Sequence, residues 1–322
     1  MSRHYLGLQD LTSEEINSLL SLIGTLCQNK NGVQKWKAQL EGRQVISLFW
    51  SPPRKNKPIY YDPDLVIGID DRIQSLVNKA NKALGISTLD AVPSPEEKIE
   101  DVIKFSEQLD RIDGVIIRHN SAGAAHRIAR ETSYFVLNIQ DNLRERPVEA
   151  LSFVYIIKDI ARKLEKDCTR VKVGIVGNIA YSAFARSLIF GLNKLRIGLL
   201  TFASPTLTSA YFQHLGVQNI CSKERFLDEI DFLVSVPISQ VLVEKGLIPS
   251  VNDYLSFFQI TNEDLKESAR PPSVLPCRTR NYVDTCTAVD RSFMIDEKSM
   301  KGVILNTLIA VLIFCAATQT PT

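Results

Sequence analysis

Short, almost uninterrupted apolar runs recur along this chain, and a stretch of helical periodicity separates each from the next. The runs cover residues 45–50, 114–118 and 135–138, then 171–176, 197–202 and 232–236. A strand that is apolar on both sides must be covered on both sides, which is the condition of a parallel sheet between helices. The intervening stretches supply that cover: residues 72–83, a segment opening at Pro95, and residues 122–131, 181–195, 208–215 and 223–229. Alternation at this spacing predicts an α/β chain with two doubly wound parallel-sheet domains. The two series meet at Pro147. There a long helix begins whose apolar side is Leu151, Val154, Tyr155, Ile157, Ala161 and Leu164. Domains are therefore expected over 1–145 and 146–296, joined by long helices. A C-terminal helix over 297–317 is expected to pack back on the first. Thr12 or Ser13 is the expected cap of the first helix, with acids in its first turn. Residues 252–270 carry no clear period, and 274–276 reads as a last short strand.

Composition narrows the class. A net charge of +2 over 322 residues, with no long Lys/Arg block, gives no footprint for nucleic acid. The apolar run 303–317 is shorter than the roughly 20 residues a membrane span needs, so it is expected to be a buried core helix. The six cysteines form no C-x-x-C pair and no metal spacing. Scattered thiols suggest a reducing compartment, hence a cytoplasmic protein. The first residues lack the apolar core of a signal peptide.

The stretch Asp113-Gly-Val-Ile-Ile-Arg118-His119, followed by Asn120-Ser-Ala-Gly-Ala-Ala125, carries the most chemistry. It reads as a buried strand ending in a guanidinium and an imidazole, then opening a helix rich in small residues. Open α/β sheets bind ligands at the carboxyl ends of their strands. Arg118 is therefore expected to line a ligand site, since burying a guanidinium without an acceptor is costly. His119 is placed where a pKa near neutrality would serve proton transfer, or where an imidazole would simply cap the strand. The turn Gly174-Ile-Val-Gly177-Asn178 lacks the third glycine of a dinucleotide fingerprint, so no cofactor is expected. His4, His126 and His214 lie far apart, and no metal site is read into them. The loop from Pro52 to Pro58 is basic. Its prolines remove the backbone donors a phosphate cradle uses, which favours a solvated turn. Asp141, Arg144, Glu145, Arg146 and Glu149 read either as a solvated, salt-bridged helix start or as a source of acid/base groups.

Taken together the chain resembles the aspartate/ornithine carbamoyltransferase family over nearly its whole length. The opening from His4 to Ile16 is similar to the family's entry into its first helix. Residues 112–119 match its strand with the carbamoyl-binding arginine. Val136-Leu-Asn138 followed by Arg146-Pro147 matches the approach to its His-Pro-Thr-Gln motif, and Gly174–Asn178 matches the start of its second domain. The resemblance implies a two-domain fold, a homotrimer, and an active site near the subunit interface for a small-molecule substrate, with no membrane or nucleic-acid partner.

Several of the family's ligand groups are replaced. Its Ser-Thr-Arg-Thr-Arg phosphate loop is matched by Pro53-Arg54-Lys55-Asn56-Lys57, and its His-Pro-Thr-Gln by Arg146-Pro147-Val148-Glu149. Its lysine-bearing loop is shortened around Ser94-Pro95. Ala183 and Pro237 stand where arginines are expected. Ser273-Val-Leu-Pro276 stands for His-Pro-Leu-Pro. Each lost charge-assisted bond is worth about 1.5–3 kcal/mol. Four such losses would remove most of the roughly 8 kcal/mol of micromolar binding. The expectation is therefore an enzyme turned from aspartate or ornithine carbamoylation to another reaction: a cyclisation, condensation or unusual transfer on a small carboxylated or amine-bearing metabolite. Its cleft would be lined by Trp50, Arg54, Arg118, Arg146 and Tyr181, with His119 or Glu149 moving the proton. The alternative is an inactive homologue acting as a structural or regulatory partner subunit.

Overall fold

A computed structural model of the chain describes residues 3–29, 32–50, 70–91, 99–109, 111–276, 285–286 and 297–317. The chain divides into two compact units, one of Met1–Tyr155 with Lys301–Thr322, the other of Ile156–Met300. The division falls between Tyr155 and Ile156, about ten residues beyond the 145/146 junction expected from the sequence.

In the first unit, Thr12 caps α1 (Ser13–Gln28) by accepting the Glu15 N–H, while the Glu15 carboxylate accepts the Thr12 N–H. This reciprocal pairing satisfies two donors a helix start would leave open. There follow α2 (Gly32–Leu40), β1 (Gln44–Phe49), α3 (Asp70–Leu84), β2 (Ser87–Ala91), α4 (Ile99–Glu107), β3 (Gly114–His119), α5 (Ala124–Glu131), β4 (Phe135–Asp141) and α6 (Pro147–Lys163). The strands form one parallel sheet in the order β2-β1-β3-β4. Strands β3 and β4 are buried along their whole length, as continuous apolar runs require. One face of the sheet packs Ile46, Leu48, Val115, Ile117 and Val136 against Val102 and Ile103 of α4 and Ala124, Ala125 and Ile128 of α5. Connections leave β1 toward β2 on one side, and the chain resumes at β3 on the other. The gap between the carboxyl ends of β1 and β3 is thus the place where the winding reverses.

The second unit repeats the pattern with β5 (Lys172–Gly177), α7 (Ala183–Lys194), β6 (Gly198–Phe202), α8 (Ala210–Gln213), β7 (Gln218–Asn219), α9 (Lys223–Glu229), β8 (Phe232–Val236), α10 (Gln240–Glu244), α11 (Val251–Phe258), α12 (Asn262–Glu267) and β9 (Ser273–Pro276). Its sheet is parallel, in the order β7-β6-β5-β8-β9, and reverses between β5 and β8. Leu200, Phe202, Phe226, Ile230, Leu233 and Val274 form part of its core. Gly177 ends β5 with φ +105°, and a Cβ there would overlap the carbonyl oxygen of Val236. The stretch without clear period resolves into two short helices, each opened by a capping hydroxyl, Ser250 for α11 and Thr261 for α12.

The last helix, α13 (Glu297–Ala316), returns to the first unit. Ser152 Oγ of α6 donates to Thr307 Oγ1 at 3.0 Å. The Arg3 guanidinium lies 3.7 Å from the ring centre of Phe314. Residues 307–313 are buried without a break, and a helix covered on every side reads as apolar all round. Among the described residues no helix is long and apolar enough to cross a membrane.

Candidate functional site

Strand β3 ends at the reversal point in two polar residues. Arg118 and His119 are each only 2% exposed. Beside them β1 runs into Trp50, 1% exposed, whose backbone N–H donates to the Arg118 carbonyl at 3.0 Å. The pairing of β3 with β4 slips between Ile117 and Arg118, so that Arg118 faces Gln140 and His119 faces Asp141. Such an irregularity re-aims side chains at the end of a strand. The Trp50 and His119 rings lie 6.4 Å apart, tilted by 49°.

His119 is held in one tautomer. Its Nδ1 accepts the Ser121 N–H at 3.0 Å, so the neutral ring carries its proton on Nε2. Burial pushes its pKa down to about 4. This corrects the expectation of a proton-transfer group titrating near neutrality: at pH 7 the ring is uncharged, and its outward nitrogen is a donor. The linkage has a definite sign. The unfolded ring protonates near 6.5 and the folded ring only near 4. Between those values the unfolded state binds more protons, so stability falls as the pH is lowered through that window. The loss amounts to about 3 kcal/mol. Urea unfolding of wild type and His119→Phe at pH 7 and pH 4 should show this difference in the wild type alone. Asp141, whose carboxyl burial pushes upward, is common to both proteins and cancels in the comparison.

The acid-rich corner between β4 and α6 is more buried than its composition suggests. Asp141, 1% exposed, accepts the Gly123 N–H at 2.9 Å and the Glu145 N–H at 3.0 Å. Glu145 is fully buried and accepts the Leu8 N–H at 2.7 Å and the Gln9 N–H at 3.2 Å. A Cβ on Gly7 would overlap the Glu145 carboxylate, so glycine there makes the approach possible. For these two acids the reading of a solvated helix start is corrected. They tie the beginning of the chain to the end of the sheet. Nothing in the local pattern distinguishes them from solvated acids, because the Gly123, Leu8 and Gln9 N–H groups that hold them are distant in sequence.

Arg146 and Glu149 meet each other across one turn at the start of α6, Nε to Oε2 at 2.6 Å, and both are largely buried. Tyr181 lies in the second unit beyond β5, its N–H donating to Asn178 Oδ1 at 3.3 Å. Arg54, the whole 53–57 loop and Ser94-Pro95 fall outside the described residues. The site residues brought together are thus Trp50, Arg118 and His119 at the reversal point, and Arg146 with Glu149 at the helix start. No group of His, Cys, Asp and Glu among the described residues can hold a metal ion.

No family model matches the chain. Its sequence is similar to the aspartate carbamoyltransferase catalytic subunit of Caldanaerobacter subterraneus, 27% identical over 311 residues, covering 95% of this chain and 96% of the relative. The same subunit from Ruminiclostridium cellulolyticum is 28% identical over 315 residues, covering 95% and 93%. In fold it matches the ornithine transcarbamoylase of Giardia lamblia with a TM-score of 0.76 at 13% identity, over 99% of this chain and 100% of the other. It also matches the ornithine carbamoyltransferase of Pyrococcus furiosus with a TM-score of 0.75 at 16% identity, over 99% and 98%.

These relatives overturn the expectation of a reaction other than transcarbamoylation, and with it the alternative of an inactive partner subunit. Curated proteins alike over nearly the full length carry the name of that one activity. The Glu149 carboxylate has its charge met by Arg146. Arg54, Lys55 and Lys57 keep positive charge in the sequence that follows β1.

Proposed function

The chain belongs to the aspartate/ornithine carbamoyltransferase family, and from that premise we propose that it transfers the carbamoyl group of carbamoyl phosphate to the amino group of aspartate. The buried Arg118, held at the reversal point of the first sheet, is the observation that carries the reading. In this reaction the amine nitrogen attacks the carbonyl carbon. A C–N bond forms, the C–O bond to phosphate breaks with its electron pair leaving on the phosphate, and the amine gives up a proton. Negative charge grows on the carbonyl oxygen and on the departing phosphate. A guanidinium fixed in a site of low dielectric stabilises such charge without having to reorganise. Trp50, itself buried, donates its backbone N–H to the Arg118 carbonyl at the same strand ends.

Arg54 and Tyr181 are further candidate substrate contacts, and the Arg146–Glu149 pair sets the start of α6. Glu149, joined to Arg146, is assigned to positioning that helix start. Aspartate is preferred to ornithine as acceptor because the curated relatives named for aspartate are 27–28% identical, whereas the ornithine likeness rests on fold at 13–16% identity. A cytoplasmic homotrimer fits this assignment. The relatives are named as catalytic subunits, and the described cysteines are free thiols.

Incubating the purified chain with carbamoyl phosphate and aspartate should yield N-carbamoylaspartate and phosphate in equal amounts. Ornithine in place of aspartate should give little product. The mass in solution should be three times 36.1 kDa. Absence of product with aspartate, or a faster reaction with ornithine, would overturn the proposal.

A further inference from the structure

The carboxyl end of β3 is held from both sides. Toward β1, the Trp50 N–H donates to the Arg118 carbonyl at 3.0 Å, and toward β4 the Asn142 N–H donates to the His119 carbonyl at 2.9 Å. Asn142 has φ 52°, in the left-handed region that asparagine enters more readily than most residues. It belongs to a closed corner. The Asp141 N–H donates to the Glu145 carbonyl at 3.2 Å, and the Glu145 N–H donates to the Asp141 carboxylate at 3.0 Å. That corner is fastened to the first residues of the chain. Tyr5 lies beside β4, its N–H on the Val136 carbonyl and its carbonyl on the Asn138 N–H, and its hydroxyl donates to the Pro147 carbonyl at 3.0 Å. Gly7 leaves room for the Glu145 carboxylate, which accepts the Leu8 N–H at 2.7 Å and the Gln9 N–H at 3.2 Å. Glu145 is fully buried. Desolvating a carboxylate is costly, and an apolar side chain would fill the same space without that cost. Two N–H groups on one carboxylate supply what an apolar contact does not, a fixed direction.

Resting on the carbamoyl-transfer reading, we infer that Glu145 is a positioning residue for the reaction and that residues 5–9 belong to the scaffold of the site. The contacts run from the Leu8 and Gln9 N–H groups to the Glu145 carboxylate, through the corner to the Asn142 N–H, and from there to the strand end that carries Arg118. Glu145 touches no reacting group. It sets where the guanidinium stands relative to the carbonyl carbon under attack. An error of a fraction of an ångström there slows a reaction that depends on fixed charge. The coupling is reciprocal: what these first residues do for the site, a ligand in the site does for them.

Glu145→Gln keeps the volume and one accepting oxygen but turns an amide N–H toward the second donor. In steady-state kinetics of the full chain with carbamoyl phosphate and aspartate, it should lower kcat/KM about tenfold, less than the roughly hundredfold of a full ångström's misplacement. Gly7→Ala, whose Cβ would overlap the Glu145 carboxylate, should give a similar loss with the acid intact. Thr307→Val removes the hydroxyl that meets Ser152 elsewhere in the same unit. It should lower the unfolding temperature and leave kcat/KM within about twofold, since one lost hydrogen bond acts there on stability alone. Amide hydrogen exchange in the wild type needs no variant and decides the matter if Glu145→Gln and Gly7→Ala do not fold. Saturating phosphonoacetamide, an uncleavable probe with a carbonyl beside a phosphonate, should slow exchange at Leu8, Gln9 and Asn142 together. Unchanged kcat/KM in folded Glu145→Gln, an equal loss in Thr307→Val, or exchange at Leu8 and Gln9 that the probe leaves unaltered would overturn the inference while leaving carbamoyl transfer standing. Failure of the wild type to form N-carbamoylaspartate would remove the reading beneath it.

Discussion

Arg118→Ala should lower kcat/KM for carbamoyl transfer by about a thousandfold, while Arg118→Lys should fall between the variant and the wild type. One donor aimed at a developing oxyanion is worth about 10²–10³ in kcat. A guanidinium presents several donors in a fixed fork that lysine cannot reproduce. The backbone of Arg118 is held independently of its side chain, by the ladder to β1 and by the Trp50 N–H on its carbonyl. The strand should therefore keep its place when the side chain is cut back. The check is steady-state kinetics with both substrates varied, alongside an unfolding curve. A folded Arg118→Ala protein retaining more than about a tenth of wild-type kcat/KM would show that the guanidinium does not touch the reacting group.

Gly177→Ala should be the most damaging single methyl group in the second unit. The residue has φ +105°, outside the region an alanine adopts comfortably, and its Cβ would overlap a backbone oxygen that cannot swing aside. Strain of this kind costs about 1–3 kcal/mol before the overlap is counted, and the sum should exceed about 4 kcal/mol. At about 2–4 °C per kcal/mol for a unit of this size, the unfolding temperature should drop by 10 °C or more. Gly123→Ala separates the two contributions. That glycine also has a positive φ, +83°, but a Cβ there would meet nothing within 4 Å. It should cost only the conformational part, about 1 kcal/mol. If the two variants unfold alike in thermal scans, the clash with Val236 is not what makes glycine necessary at 177.

Much of the architecture was legible because buried parallel strands announce themselves as continuous apolar runs. Strands β1, β3, β5, β6 and β8 were each located to within a residue or two at their starts. Of the edge strands, β4 and β9 were located and β2 and β7 were not. β2 reads Ser-Thr-Leu-Asp-Ala and is mostly exposed, so it has neither an apolar run nor a clean alternation, and β7 is two residues long. The short helix α2 buries only Leu40, too little for a visible period. At the site, Arg118 and His119 were legible from their position at the end of an apolar strand. The state of His119 was not, because it depends on a backbone N–H two residues on and on cover from neighbouring elements. The pairing of Arg146 with Glu149 was one of two open readings. Counting replaced ligand groups pointed away from transcarbamoylation, the activity that the relatives' names carry.

Helix α13 belongs with residues of the first half of the chain: Arg3 stacks on its Phe314, Asn306 reaches Cys27, and Thr307 meets Ser152. The first unit is consequently interrupted by the whole of the second. During synthesis its sheet can assemble early, but the groove for this last helix stays open until some 150 further residues have left the ribosome. The inserted unit has all its strands before then, so the order of completion on the ribosome should run opposite to the order of translation. The nascent first unit, with an apolar trough waiting for Leu308 to Ile313, is the stage at which a chaperone would have most to hold.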